Sequence, residues 1–90
     1  MDISRFLDEN KKVKTWPSKH EMKREVLIYL AEKFDNGVFY TEKEVNEIIN
    51  NWHTFGDFFL FRRGMIEYKL LSRTVDGKSY WKESEKTLSI

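Results

Sequence analysis

The chain has no cysteine, which excludes disulfides, thiolate metal centres and a cysteine nucleophile and suits a reducing, cytoplasmic setting. Its four glycines, Gly37, Gly56, Gly64 and Gly77, are dispersed, so no glycine-rich phosphate loop is present. Apolar runs fall far short of the roughly 18 residues that a membrane span requires, and the N-terminus lacks the apolar stretch of a signal peptide. No membrane partner is therefore expected. Net charge is also nearly absent, at +1 from 16 basic and 15 acidic residues, and gives no bulk pull toward nucleic acid. Histidine is scarce: His20 and His53 are the two present, and neither has a paired nucleophile in the sequence. Asp57 lies four residues after His53, a weak spacing that fits a helix-end capping or packing histidine better than a catalytic or metal one. No cofactor, metal or enzymatic activity is expected.

Aromatic residues, by contrast, make up 16% of the 90 residues and hydrophobic residues 40%, enough for one compact domain over 1–90 that buries about 60–65% of its unfolded surface. Residues 1–14 read as a turn, with Asp2 as its cap and Ile3, Phe6 and Leu7 on one side, then a charged segment. Trp16-Pro17 stops that segment, because proline pushes the residue before it toward extended geometry. Ser18 and Glu21 have the spacing of a capping box, and Met22, Val26, Leu27, Leu30, Ala31 and Phe34 continue as a helical stripe. Gly37 can close this helix in the left-handed conformation. Val38–Tyr40 reads as a short strand.

Thr41 and Glu44 form a second capping box, followed by Val45, Ile48, Ile49 and Trp52 at full amphipathic spacing. A third helix is expected from Thr54 or Asp57 to Tyr68, burying Phe58, Phe61, Met65 and Tyr68. Segments 71–75 and 78–82 flank Asp76-Gly77, a preferred two-residue hairpin turn. Of Tyr80 and Trp81, adjacent on the returning strand, one is expected inside and one outside. The polar tail 83–90 is expected to fray. The order predicts an α+β, winged-helix-like fold: three main helices, a short strand and a C-terminal hairpin wing.

A winged helix commonly lays its third helix in the major groove and its wing on the backbone or minor groove. With the stripe inward, Phe59, Leu60, Arg63 and Glu67 face outward, and of these Arg63 alone is a good donor to guanine or phosphate. The charge map is polarised: residues 11–24 sum to +5, 32–47 to −3 and 54–82 to +3. Arg62, at the edge of the stripe, is expected to pair with an acidic residue of the second helix such as Glu44 or Glu47. Trp16, Trp52 and Trp81 could stack bases, but Trp52 belongs to a helical stripe and is expected in the core. Phe59 and Leu60 are neighbouring large apolar side chains left outside. A second copy of the chain, or the N-terminal turn folding back, would cover them.

Phe6-Leu7-Asp8, Trp16-Pro17-Ser18-Lys19, Tyr40-Thr41-Glu42-Lys43-Glu44-Val45-Asn46, Trp52-His53, Arg62-Arg63 and Asp76-Gly77-Lys78-Ser79-Tyr80-Trp81 occur in this order. In this the sequence resembles the bacterial family called domain of unknown function two thousand and eighty-seven, from Phe6 to Lys82. The resemblance implies a domain found alone or attached to helix-turn-helix regulators of the arsenic-repressor type, and brings no reaction or ligand. Two departures stand out: Lys69 where members tend to have glycine, and a more apolar Phe59-Leu60. The expectation is a non-catalytic binding module linked to bacterial transcription regulation. Its candidate DNA surface is Arg63, Arg73 and Lys78 with Lys11, Lys12 and Lys14. The alternative is a protein-interaction or dimerisation module, a homodimer or a partner regulator docking on Phe59 and Leu60.

Overall fold

A helix needs its first amide groups satisfied, and the two capping boxes written in the sequence fare differently. The computed structural model describes residues 2–82: a 3-10 turn (Ser4–Phe6), α1 (His20–Ala31), α2 (Glu42–Asn51), α3 (Phe58–Glu67), β1 (Leu71–Arg73) and β2 (Tyr80–Lys82). The capping box of Thr41 and Glu44 forms in both directions, at 3.1 and 2.8 Å. That of Ser18 and Glu21 does not. The α1 cap is Lys19, without a side-chain bond, so the helix begins one residue late for Glu21 to reach back to Ser18. Asp57 caps α3 by accepting the Leu60 amide at 3.2 Å.

The stripes bury at their centres, while Ile48, Phe58 and Tyr68 are half-buried against the core. Val26, Leu27, Leu30 and Phe34 from α1 and its exit, Val45 and Ile49 from α2, Phe61 and Met65 from α3, and Leu71 and Tyr80 from the hairpin form the core. Trp52 stands at its rim instead: it is half-buried, edge-on to Tyr29 at 6.4 Å with the Lys33 ammonium 4.1 Å over its ring. At Gly64 the α1–α3 packing is tight: a Cβ there would lie 3.0 Å from Leu27 Cδ1, and Leu27 would have to give way slightly.

Two local expectations need correction. Val38–Tyr40 is no strand: Tyr40 and Tyr80 exchange two 2.8 Å backbone hydrogen bonds, an isolated bridge, and α2 starts too soon afterwards for more. Asp76-Gly77 is not a two-residue turn either. Arg73 pairs with Tyr80, Thr74 N–H donates to Ser79 at 2.9 Å, and the loop runs over 75–78. The Thr74 hydroxyl donates to Asp76 at 2.6 Å and accepts from the Lys78 and Ser79 amides, which organises a longer loop. Those bonds from Thr74 and from the Lys78 amide hold the Asp76 carboxyl below its ordinary pKa. Tyr80 is the buried member of its pair, and Trp81 lies beside Phe39, ring centroids 5.8 Å apart.

The N-terminal arm does not fold back on Phe59 and Leu60. Val13 sits between Leu7 and His53 in bridges, donating to Trp52 at 2.8 Å and accepting from Thr54 at 3.0 Å. The Tyr29 hydroxyl donates to the Lys11 carbonyl at 2.6 Å, and Ile3 shares a hollow with Ile28 and Tyr29. The arm therefore covers α1 and the end of α2. The tail 83–90 lies outside the described residues.

Lys69 closes α3 despite being no glycine. Its φ is +61°, its amide donates to Ile66 and that of Leu70 to Met65, at 3.0 and 2.8 Å, a Schellman closure. A side chain pays a steric penalty in that conformation. Lys69→Gly is expected to raise stability by about 0.5–1 kcal/mol, a melting temperature some 2–8 °C higher for a domain of this size; an unchanged or lower value in a thermal melt would contradict the left-handed closure.

Candidate binding cleft

Side chains four residues apart share one face of a helix, and on α2 that relation joins Glu42 to Asn46. Arg62 of α3 lies against both: it donates to Asn46 Oδ1 at 2.6 Å and stands 3.7 Å from Glu42 Oε1, its side chain 14% exposed. The partner is thus a carboxylate of α2, as the sequence implies, but Glu42 and not Glu44 or Glu47. Glu44 is spent in the capping box, and Glu47 is exposed. Glu42 also accepts the Tyr80 hydroxyl at 3.1 Å, so α2, α3 and the hairpin meet at one carboxylate. Burial, then the hydrogen bond to Glu42 and its negative charge, push the Tyr80 phenol above its ordinary pKa.

Above this junction lies a cleft of about 310 Å³ between α3 and the hairpin. Glu42, Arg62 and Tyr80 line its floor, and Phe59, Arg63, Ile66, Glu67 and Arg73 line its walls. Arg63 is exposed and donates to Glu67, one turn on, at 3.0 Å. Arg73 faces no carboxylate among the described residues; its Nη1 makes a 3.5 Å contact with the Thr74 carbonyl and lies 3.5 Å from where a Gly77 side chain would begin. Phe59 is 53% exposed with the Arg62 guanidinium 5.4 Å from its ring. Leu60 is half-buried rather than exposed, so the expected apolar pair reduces to Phe59.

The structure thus brings Arg63 and Arg73 together and sets Lys78 on the hairpin loop near Arg73. It does not bring the lysines with them. Lys11, Lys12 and Lys14 lie in the N-terminal arm at the C-terminal end of α2, and ten helical residues, about 15 Å, separate that end from Glu42. Glu42, Asn46 and Tyr80 join the site with one signal in the sequence, the four-residue spacing of Glu42 and Asn46.

His53 is a brace. It is buried; its Nδ1 lies 2.8 Å from the Ile49 carbonyl and its Nε2 accepts the Asp57 amide at 2.8 Å, which fixes the neutral tautomer with Nδ1–H as donor. Both ring nitrogens are engaged, and it is the backbone of Asp57, not its carboxylate, that reaches the ring. His20 lies at the surface, its Nδ1 3.2 Å from the Tyr68 hydroxyl. Among the described residues no group of three or more His, Asp or Glu gathers as metal ligands, and no helix is long and apolar enough to cross a membrane.

The model of one family, described as uncharacterized protein conserved in bacteria (DUF2087), matches residues 12–82. The match covers every stretch of the resemblance except Phe6-Leu7-Asp8. No curated protein and no solved structure matches the chain.

The two neighbouring arginines separate structure from surface. Arg62→Ala is expected to cost about 2 kcal/mol, because it removes a charge-assisted bond from a largely buried site. Arg63→Ala is expected to stay within about 0.5 kcal/mol, its partner and itself being exposed. Equal effects in urea unfolding would contradict the placement of the two side chains.

Proposed function

The chain belongs to that uncharacterised family conserved in bacteria, and we propose that it is a non-catalytic binding module of transcription regulation that engages DNA through α3 and the hairpin, used in the manner of a winged helix. The observation that supports this reading most is that Arg63 and Arg73 line one cleft, with Lys78 in the hairpin loop that Arg73 abuts. Guanidinium groups from two separate elements offer a phosphate backbone two points of hold. Glu67 and Phe59 leave the outer face of α3 with little for reading base edges, so the contact is one of backbone and shape more than of sequence. Lys11, Lys12 and Lys14 lie beyond this footprint. The module works in the cytoplasm, alone or beside a regulator of the arsenic-repressor type.

Phe59 favours a second reading. An aromatic ring 53% exposed beside three arginines has the composition of a protein interface centre, for a second copy or a partner regulator.

Fluorescence anisotropy on a mixed-sequence duplex over a salt series distinguishes the two. On the DNA reading affinity falls steeply with salt, and the double change Arg63→Ala, Lys78→Ala flattens the slope by roughly two phosphate contacts, about 1.8 on logarithmic axes. An unchanged slope, or no binding at low salt, would overturn it. A salt-insensitive dimer that Phe59→Ser dissolves would establish the protein-interface reading instead.

A further inference from the structure

We propose that the cleft between α3 and the hairpin is a receptor site for a small aromatic monocarboxylate, with Arg73 as its charge partner and Phe59 as the face for its ring. This goes beyond DNA binding and does not depend on it. The cleft has the volume of a small-molecule site, about 310 Å³, at the lower end of the roughly 300–1,000 Å³ such sites occupy. Its floor is fixed before any ligand arrives, because Glu42 already holds Tyr80 and Arg62, and Asn46 holds Arg62 as well. A preformed floor lowers the ordering cost of binding.

The charges select the ligand. Arg62 is matched by Glu42 and Arg63 by Glu67. Arg73 is matched by no carboxylate among the described residues, and its single weak contact is to a backbone carbonyl. Among the described residues Arg73 is thus the cleft's one arginine without an ion pair, and a guanidinium presents a planar pair of donors that fits a carboxylate. A phosphate dianion brings one charge more than this cation offsets, beside the Glu42 and Glu67 carboxylates, 52% and 60% exposed, and is disfavoured against a monocarboxylate. The apolar part of the lining, Phe59 and the half-buried Ile66, suits a flat ring, with Phe59 offering an offset-stacked or edge contact. One negative charge and one flat apolar body, within this volume, describe a one- or two-ring aromatic acid.

The test is an NMR titration of the whole chain, without DNA, with benzoate, 1-naphthoate, 1-naphthylmethylamine and inorganic phosphate as probes. The proposal expects saturable shifts of the Phe59, Ile66 and Arg73 amides with the two acids, naphthoate binding more tightly. The amine and phosphate should bind at least about tenfold more weakly than naphthoate. Arg73→Ala should weaken naphthoate about tenfold, the loss of one charge-assisted contact, and Arg73→Lys should recover part of it. Phe59→Ser should weaken naphthoate more than benzoate. Both side chains are exposed, and a thermal melt of each variant checks that the fold is kept. No saturable shift with either acid, phosphate binding as tightly as naphthoate, or an affinity unchanged by Arg73→Ala would overturn the proposal. Because no DNA is present, each of these outcomes leaves the DNA reading to its own test.

Discussion

One carboxylate, that of Glu42, ties together the three elements that build the cleft. As the first residue of α2 it carries a negative charge where the helix dipole favours one, next to the capping box of Thr41 and Glu44. From there it accepts the Tyr80 hydroxyl and faces Arg62, which in turn holds Asn46. The hairpin depends most on this arrangement. Its ladder has three residue pairs, and a two-stranded hairpin alone is marginal in water. The bridge from Tyr40 and the bond from Tyr80 to Glu42 anchor its inner strand, while Leu71 and Tyr80 plug it into the core. Without Glu42 the part-buried Tyr80 hydroxyl would lose its partner, a loss of about 0.5–1.5 kcal/mol for an ordinary hydrogen bond.

A second constraint sets the opposite end of α3. His53 spans the corner between α2 and α3, bonded to the Ile49 carbonyl and the Asp57 amide, and its ring packs against Phe61, centroids 4.7 Å apart. The N-terminal arm closes over the same corner through Val13. α3 is thus held at its start by His53 and along its length by Arg62, which leaves Phe59, Arg63 and Glu67 facing the cleft. A rigid helix opposite a braced hairpin is the arrangement that a DNA-binding role and a small-ligand role both need, and a carboxylate seated on Arg73 would withdraw that cation from a phosphate.

Much of the fold was legible in the sequence because its signals are local. The stripes of the helices, the Thr41 and Glu44 capping box and the position of the hairpin follow from residue spacing alone. The failures have physical causes. Ser18 and Glu21 show the same pattern as Thr41 and Glu44, but a capping box needs the helix to begin immediately after its first member, and α1 caps at Lys19. Asp76-Gly77 reads as a tight turn until the bonds of Thr74 and Asp76 are counted. A helical wheel puts Phe59 and Leu60 on the same side, but it has no neighbours in it, and packing half-buries Leu60. For Arg62 the partner helix was legible but not the residue, and for Tyr80 neither was, because the partners lie 16 and 38 residues away. For the same reason the basic residues looked like one surface when they form two.

The hairpin and α3 are coupled energetically through Glu42. A double-mutant cycle of Tyr80→Phe and Arg62→Ala in urea unfolding measures this directly, since the two side chains belong to different elements and share that one carboxylate. A coupling energy of about 0.5–1 kcal/mol is expected. Effects that add to within about 0.3 kcal/mol, the behaviour of independent sites, would contradict it.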